Sequence, residues 1–187
     1  MQHFSFINTK LEKLKIVRPF FVEDSRGYFR KSYEKEVFAQ NGIRTDVFEH
    51  FESYSVKGVI RGLHFQTQHP QSKLVRALTG EIFDVAVDLR PHSSTFGQWE
   101  GIYLSAENHR ALYIPEGFAH GFLVISESAL VSYLCSGQFL KEFDSGIRWN
   151  DPDVAIEWPT HLVDEITLSD KDKSLYDLRK FMNQLAW

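Results

Sequence analysis

The chain has 187 residues, a formal charge of −4 and a hydrophobic content of 43%. This length suits one hydrophobic core, so we predict one domain over residues 1–187. The near-average composition excludes disordered, collagen-like and coiled-coil proteins, and the acidic balance argues against a nucleic-acid binder. The longest apolar stretches are far below the roughly 18 residues of a membrane span. We therefore expect neither a nucleic-acid nor a membrane partner.

Cysteine usage and the first residues bear on the compartment. The sequence has one cysteine, Cys135, which excludes a disulfide framework within the chain. The opening residues, MQHFSFINTKLEKLKIV, lack the long apolar segment of a secretory signal. We expect a cytoplasmic protein.

The first predicted element is a short helix over residues 32–42, with Ser32 as the cap and Gly42 as the stop. Residues 73–90 contain two apolar runs separated by Thr79-Gly80, which predicts a β-hairpin. Further strands are predicted at residues 99–104, 110–114, 119–125 and 129–135. Short strands at this regular spacing predict a β-sandwich or barrel, with its core at about residues 45–160.

The last predicted element is a helical tail at about residues 169–187. It starts at Ser169, a good capping residue. Leu175, Leu178, Phe181 and Met182 then recur at helical spacing. We predict a surface helix that packs on the barrel.

Two histidines stand in apolar segments. His64 lies within RGLHFQ, residues 61–66, and a neutral histidine lowered into an aromatic cavity would be a competent general base. His120 lies within IPEGFAHGF, residues 114–122, and could be a second polar group in such a cavity. An ordinary half-buried or surface histidine, and a histidine at a strand end, explain the two patterns as well.

Metal binding and nucleophilic catalysis have little support in the sequence. The chain has no His-x-His pair, and its other histidines lie in loop-like or polar contexts, so we expect no metal site. Cys135 has no adjacent base and reads as a small apolar residue. Arg26 and Arg30, with Lys73 and Arg76, could contact an anion, although charged loop and strand positions explain them too.

Taken together, these segments resemble the dTDP-4-dehydrorhamnose 3,5-epimerase family over roughly residues 15–175. The resemblance lies in DSRGYF (24–29), KGVIRGLHFQ (57–66), KLVRALTGEIFDVAVDLR (73–90), TFGQWEGIYLSAEN (95–108), IPEGFAHGFLV (114–124), GIRWNDP (146–152) and LSDKD (168–172). It implies an all-β fold, a cupin-type jelly-roll β-barrel with a few short helices, and usually a homodimer. It also implies that no metal or redox cofactor is needed.

The resemblance implies an isomerase that inverts C3 and C5 of a nucleotide-diphosphate 4-keto-6-deoxy sugar. The expected reaction converts dTDP-4-dehydro-6-deoxy-D-glucose to dTDP-4-dehydro-L-rhamnose through an enolate. His64 matches the general base, Asp172 the carboxylate that orients it, and Tyr133 the general acid. The remaining matches are substrate-binding positions: Arg26, Phe29, Lys31, Glu49, Phe51, Arg61, Lys73, His120, Asp144 and Lys171.

The sequence departs from the family at its nucleotide rim. Glu49-His50-Phe51 stands in place of a Gln-Asp/Glu-Asn run, and Lys31 stands in place of Glu. Gln138-Phe139 replaces an aromatic hydroxyl that the family has near these positions. These changes leave open a single-carbon epimerase, or one that uses a CDP- or GDP-linked sugar. A non-catalytic sugar-nucleotide binder and a metal-dependent cupin oxygenase are the alternatives from other classes.

Overall fold

The structure is a computed structural model that describes residues 3–44 and 46–184, and strands dominate these residues. The strands are β1 (Ser5–Asn8), β2 (Lys15–Arg18), β3 (Phe20–Asp24), β4 (Gly27–Lys31), β5 (Val47–Val56), β6 (Ile60–Gln66), β7 (Lys73–Thr79), β8 (Glu81–Asp88), β9 (Trp99–Ser105), β10 (Ala111–Ile114), β11 (Phe118–Val124), β12 (Ser128–Ser136) and β13 (Asp144–Gly146). The helices are α1 (Lys35–Gln40), α2 (Asp170–Lys173) and α3 (Leu178–Gln184), with 3₁₀ turns at Lys141–Phe143 and Thr160–Leu162. The prediction of an all-β fold with a few short helices is confirmed.

Two antiparallel sheets form the body of the molecule. One has the order β1-β2-β10-β7-β12-β5 and the other β13-β6-β11-β8-β9, while β3 and β4 pair as a separate hairpin. Val75 and Leu112 from the first sheet share a buried cluster with Ile82 and Phe122 from the second. The sheets therefore face each other across one apolar interior, as in a jelly-roll barrel.

Strand β8 is buried on both of its faces. Its residues Ile82 and Ala86 face the interior between the sheets. Val85 belongs to a second cluster outside that interior, which includes Trp158 and Leu178 from the C-terminal part of the chain. This double burial explains why the apolar alternation of β8 is imperfect in the sequence.

The two strands predicted within residues 73–90 exist, but the predicted hairpin between them is wrong. Strand β7 pairs with β10 and β12, whereas β8 pairs with β9 and β11. Gly80 separates them with a φ of +69°, and a Cβ atom there would lie 2.0 Å from the carbonyl oxygen of Ser128. The glycine thus lets the chain pass from one sheet to the other in a crowded turn, a geometry that resembles a hairpin signal in sequence.

The N-terminal segment belongs to the barrel. Strands β1 and β2 extend the first sheet, and Leu11, Leu14 and Val17 are fully buried. The strand framework therefore begins well before residue 45. The predicted helix at 32–42 is confirmed as α1, although its N-cap is Glu34; the hydroxyl of Ser32 instead accepts a hydrogen bond from Arg76.

The predicted C-terminal tail contains two short helices, α2 and α3, in place of one. Leu178, Phe181 and Met182 pack on the outer side of the second sheet, as expected, while Leu175 lies between the helices. Residues 185–187 of the predicted tail lie outside the described residues. Across residues 3–44 and 46–184, no helix is long and apolar enough to cross a membrane.

Candidate functional site

A cavity of about 740 Å³ opens between the strands β5, β6, β7 and β11 and the helices α2 and α3. Many of its walls are aromatic or aliphatic side chains, among them Phe65, Phe96, Phe118, Phe139 and Phe181. Six residues predicted from the sequence line it as well: Glu49, Phe51, His64, Lys73, Asp144 and Lys171. A concave, mainly apolar space with a few polar groups is typical of a small-molecule site.

His64 lines the cavity, and Asp172 lies behind it as its hydrogen-bond partner. The Nε2 atom of His64 lies 2.5 Å from Oδ1 of Asp172. The histidine side chain is 31% exposed, whereas that of Asp172 is 3% exposed behind it. A carboxylate can only accept here, so Nε2–H of the neutral ring donates and Nδ1 keeps its lone pair.

The position of Asp172 is set by a helix cap. Ser169 begins α2, and its hydroxyl accepts a hydrogen bond of 3.1 Å from the backbone N–H of Asp172. Burial opposes ionisation of this carboxyl, but its interactions with His64 and Ser169 outweigh burial and hold its pKa below the ordinary value. Asp172 is therefore a carboxylate at neutral pH.

A second histidine–aspartate pair lies on the neighbouring strands. His120 in β11 stands directly opposite His64 in β6. Its Nε2 atom lies 2.8 Å from Oδ1 of Asp84 in β8, and both side chains are at most 5% exposed. Within the described residues, Oδ2 of Asp84 is the one buried side-chain N or O atom without a hydrogen-bond partner.

Tyr133 lies in β12, within the buried cluster between the sheets. Its hydroxyl lies 3.2 Å from Oγ of Ser53, and its ring stacks on Phe51 with centroids 4.6 Å apart. Its ring and the ring of His120 are arranged edge to face, with centroids 6.1 Å apart. Burial raises the pKa of the phenol well above its ordinary value, so the group is protonated at neutral pH.

Lys73 brings a cation to the cavity wall. It faces the same side of the first sheet as Cys135 and Glu49, which are its neighbours across the strands. Burial lowers the pKa of its ammonium. Of the residues that the structure describes, none gives Lys73 a hydrogen bond or an ion pair, so this ammonium remains available to a ligand.

Other predicted positions divide between the cavity and its surroundings. Lys171 forms a short ion pair with Asp144, and both line the cavity. Arg61 donates to Oγ of Ser55 at 2.9 Å and to the carbonyl of Tyr54 at 3.3 Å. Arg61 lies on β6 but is not part of the cavity wall.

Three predicted residues lie on the β3–β4 hairpin, away from the cavity. Arg26 forms a two-pronged ion pair with Asp24, and Lys31 pairs with Glu34 at 3.0 Å. Phe29 is 61% exposed. Within one chain, the structure does not bring these residues to His64.

Several residues of the site were missed by sequence reasoning. Asp84 accepts a hydrogen bond from His120, and the hydroxyl of Ser53 lies within hydrogen-bond distance of that of Tyr133. Phe118 and Met182 form part of the apolar cavity wall. A signal existed for Asp84, because a charged residue on the inward face of an otherwise apolar strand needs a buried partner. The apolar wall residues give no such signal, since they look like ordinary core positions. Among the described residues, no group of three or more His, Cys, Asp or Glu side chains could hold a metal ion.

The barrel and its cavity define a cupin-type epimerase, and comparisons with known proteins agree. The family described as dTDP-4-dehydrorhamnose 3,5-epimerase matches residues 8–180. The chain belongs to this family, which confirms the predicted family and the prediction of an isomerase.

Individual relatives cover most of the chain. A dTDP-4-dehydrorhamnose 3,5-epimerase from Methanothermobacter thermautotrophicus is 49% identical, covering 96% of this chain and 97% of the relative. A dTDP-6-deoxy-D-glucose-3,5-epimerase from Legionella pneumophila, solved with dTDP-4-keto-L-rhamnose, superposes with a TM-score of 0.91 at 44% identity, covering 95% and 94%. A 3'-monoepimerase from Streptomyces bikiniensis, solved with dTDP-quinovose, gives 0.87 at 28% identity, covering 95% and 90%.

Proposed function

We propose that this chain inverts C3 and C5 of dTDP-4-dehydro-6-deoxy-D-glucose and releases dTDP-4-dehydro-L-rhamnose. The observation that carries the proposal is the His64–Asp172 pair at the wall of a cavity large enough for a nucleotide sugar. Relatives and solved structures named for this reaction support the choice of substrate.

The first chemical step is removal of a proton next to the ketone. C3 and C5 both flank C4, so their protons become acidic once the negative charge on the ketone oxygen is stabilised. His64 takes the proton on Nδ1, because Nε2 is held by Asp172. The carboxylate of Asp172 then stabilises the imidazolium that forms.

Lys73 stabilises the enolate in this proposal. Its ammonium lines the cavity and has no protein partner among the described residues, so the oxygen of the enolate can become its partner. A preorganised cation in a space shielded from water lowers the barrier more than it would in solution. Burial lowers the pKa of this lysine, which limits how far into alkaline pH the cation persists.

Tyr133 returns a proton to the opposite face of the carbon. Its raised pKa keeps the phenol protonated at neutral pH, and Ser53 and His120 limit where its ring can lie. Each inversion consists of one deprotonation by His64 and one protonation by Tyr133. Between the inversions His64 loses its proton to solvent and the Tyr133 phenolate takes one from solvent, so both groups are restored and no redox change occurs.

The decisive experiment follows solvent deuterium into the sugar. The wild type should incorporate deuterium at C3 and at C5 while the product forms. His64→Asn should abolish both incorporations, whereas Tyr133→Phe should retain exchange and lose inversion. An active His64→Asn variant would overturn the role of the base, and binding without exchange at any pH would favour a non-catalytic binder.

A second candidate is inversion at one carbon only. It is favoured by the stacking of Phe51 on Tyr133, which covers one face of the acid. Similarity to a 3'-monoepimerase points the same way, although the 3,5-epimerases are more similar in sequence. Deuterium at one carbon would select this reaction, and turnover with a CDP- or GDP-linked sugar alone would select another nucleotide.

We also propose that the chain acts in the cytoplasm as a homodimer. The outward face of β5 exposes Phe48 and Tyr54, and the β3–β4 hairpin exposes Phe29. Exposed apolar side chains of this size are typical of a protein interface. In the dimer the hairpin would carry Arg26 and Phe29 toward the partner's cavity. Light scattering should give twice the mass of the chain, and Arg26→Ala should then raise KM more than it lowers kcat.

A further inference from the structure

One wall of the cavity is a short loop, residues 137–140, which follows β12 and which we name the rim loop. Its residue Phe139 lines the cavity, and its side chain is 48% exposed. The rim loop lies outside both sheets, so its backbone groups cannot be satisfied by strand pairing. The side chains that form hydrogen bonds with these backbone groups therefore also fix the position of the Phe139 ring.

Gln66 forms hydrogen bonds with backbone groups of the rim loop. Its Oε1 atom accepts a hydrogen bond of 2.6 Å from the backbone N–H of Leu140. Its Nε2 atom donates to the carbonyl of Gln138 at 3.2 Å and to that of His69 at 2.7 Å. The side chain is buried, and both ends of its amide are occupied by backbone groups.

Glu49 forms a hydrogen bond with the backbone at the centre of the rim loop. Its Oε1 atom accepts a hydrogen bond of 2.9 Å from the backbone N–H of Phe139. Its Oε2 atom accepts one of 3.3 Å from Gln71, which also donates to the carbonyl of Gly137 at 2.9 Å. Each residue of the rim loop is thus tied through its backbone to a side chain from elsewhere in the chain.

We propose that Glu49 and Gln66 are positioning residues that hold the rim loop and so fix the Phe139 ring as the wall on which the flat base of the nucleotide packs. The identity of the ligand rests on the proposed function. Both carboxylate oxygens of Glu49 are engaged within the protein, so Glu49 acts on the nucleotide through Phe139. Stacking on an aromatic ring is a mode of base recognition that needs no side-chain amide.

A double-mutant cycle tests whether Glu49 acts through Phe139. We measure the Kd of dTDP by calorimetry and the KM and kcat for the nucleotide sugar. Glu49→Leu and Phe139→Leu should each weaken dTDP binding about tenfold, and the double variant should also lose about tenfold instead of a hundredfold, because both changes remove the same wall. The KM for the nucleotide sugar should rise by about the same factor as the Kd of dTDP in each variant, because the lost contact is with the nucleotide.

Conservative and matched control variants sharpen the cycle. Glu49→Gln should bind dTDP within about threefold of the wild type, because its amide oxygen still accepts from Phe139. Gln66→Leu should reproduce the tenfold loss. Gln68→Leu and Glu142→Leu change exposed side chains nearby and should leave dTDP binding unchanged. If Gln66→Leu fails to fold, the cycle at Glu49 and Phe139 decides the matter.

The outcomes separate this inference from the proposed function. An additive loss of about a hundredfold in the double variant overturns the inference, as does a Glu49→Gln variant as weak as Glu49→Leu. Absence of dTDP binding overturns it too. If the double-mutant cycle is non-additive but the wild type shows no deuterium exchange at C3 or C5, only the proposed function is wrong. If the wild type shows exchange but the cycle is additive, only the inference about Glu49 and Phe139 is wrong.

Discussion

The molecule contains two histidine–aspartate pairs on adjacent strands, and they differ mainly in their access to the cavity. His64 is 31% exposed and faces the cavity, and within residues 3–44 and 46–184 its Nδ1 has no hydrogen-bond partner, while His120 is 5% exposed and lies between the sheets. Asp172 approaches from a helix outside the barrel, whereas Asp84 projects from a central strand. The same pair of residue types, histidine and aspartate, thus occurs once at the cavity wall and once between the sheets.

The difference in exposure to the cavity indicates which histidine–aspartate pair can exchange protons with a ligand. A base must reach the proton that it removes, so exposure to the cavity matters as much as the partner carboxylate. Oδ1 of Asp172 accepts a hydrogen bond from His64, whereas Oδ2 of Asp84 has no hydrogen-bond partner among the described residues. We therefore expect the His64 pair to act in proton transfer and the His120 pair to shape and polarise the interior around Tyr133.

The largest effect should separate the two histidines. We expect His64→Asn to lower kcat by 10²–10⁴-fold, the usual contribution of a general base, with little change in the melting temperature. His120→Asn should lower kcat less, by about tenfold, and should destabilise the fold because its partner is buried. Steady-state kinetics and thermal unfolding measure both, and equal losses of kcat would break the comparison.

The two carboxylates should differ in the same direction. We expect Asp172→Asn to lower kcat by about 10²–10⁴-fold, because an amide can no longer stabilise the imidazolium of His64. Asp84→Asn retains an oxygen acceptor for His120 and removes a buried charge, so its kcat should fall by less than tenfold. The discriminating number is the ratio of the two kcat values, and a ratio near one would contradict the assignment.

Much of this fold could be predicted from the sequence, but its strand pairing could not. Strands β9 to β12 fall where alternation and turn residues place them. The hairpin predicted around Gly80 is wrong because a tight turn between apolar runs looks the same whether the next strand pairs with the last or crosses to the other sheet. Only the packing of distant residues decides between these two outcomes.

The site divides in a similar way. Local sequence pattern marked His64 and His120 as candidates, and the family resemblance supplied Asp172 and Tyr133. Asp84 was missed, although it is a charge within an apolar strand, and its partner His120 lies 36 positions away and cannot be inferred from local pattern. The resemblance singled out Glu49 and Phe139 at the nucleotide rim, but the sequence did not show that Glu49 and Gln66 bind the backbone of the rim loop, since side chains that bind backbone groups carry no periodic signal.

Lys73 offers a test in which activity and stability move in opposite directions. We expect Lys73→Met to lower kcat by about 10²–10³-fold, because the enolate loses its cation. The same change should raise the free energy of unfolding by about 1 kcal/mol, since it removes a desolvated ammonium that has no partner in the part of the chain that the structure describes. Urea denaturation and kinetics on the same preparation check both signs. A destabilised Lys73→Met variant would mean that the lysine has a structural partner.

The smallest effect concerns a buried carboxylate outside both histidine pairs. Asp88 accepts hydrogen bonds from Arg90, Ser93 and Thr95, and these outweigh its burial and lower its pKa to about 2. A depressed pKa contributes stability above the ordinary value of 3.8 and loses it as the pH falls toward 2. The shift in pKa corresponds to about 2 kcal/mol of stability.

Asp88→Asn should therefore lower the free energy of unfolding by about 2 kcal/mol at pH 7. It should also flatten the fall of that free energy between pH 4 and 2. Glu142→Gln, which changes an exposed side chain, is the control and should alter neither quantity. A variant with an unaltered acid slope would show that Asp88 is not the group that titrates, and the acid sensitivity would then have to come from Asp172, whose pKa is depressed in the same direction.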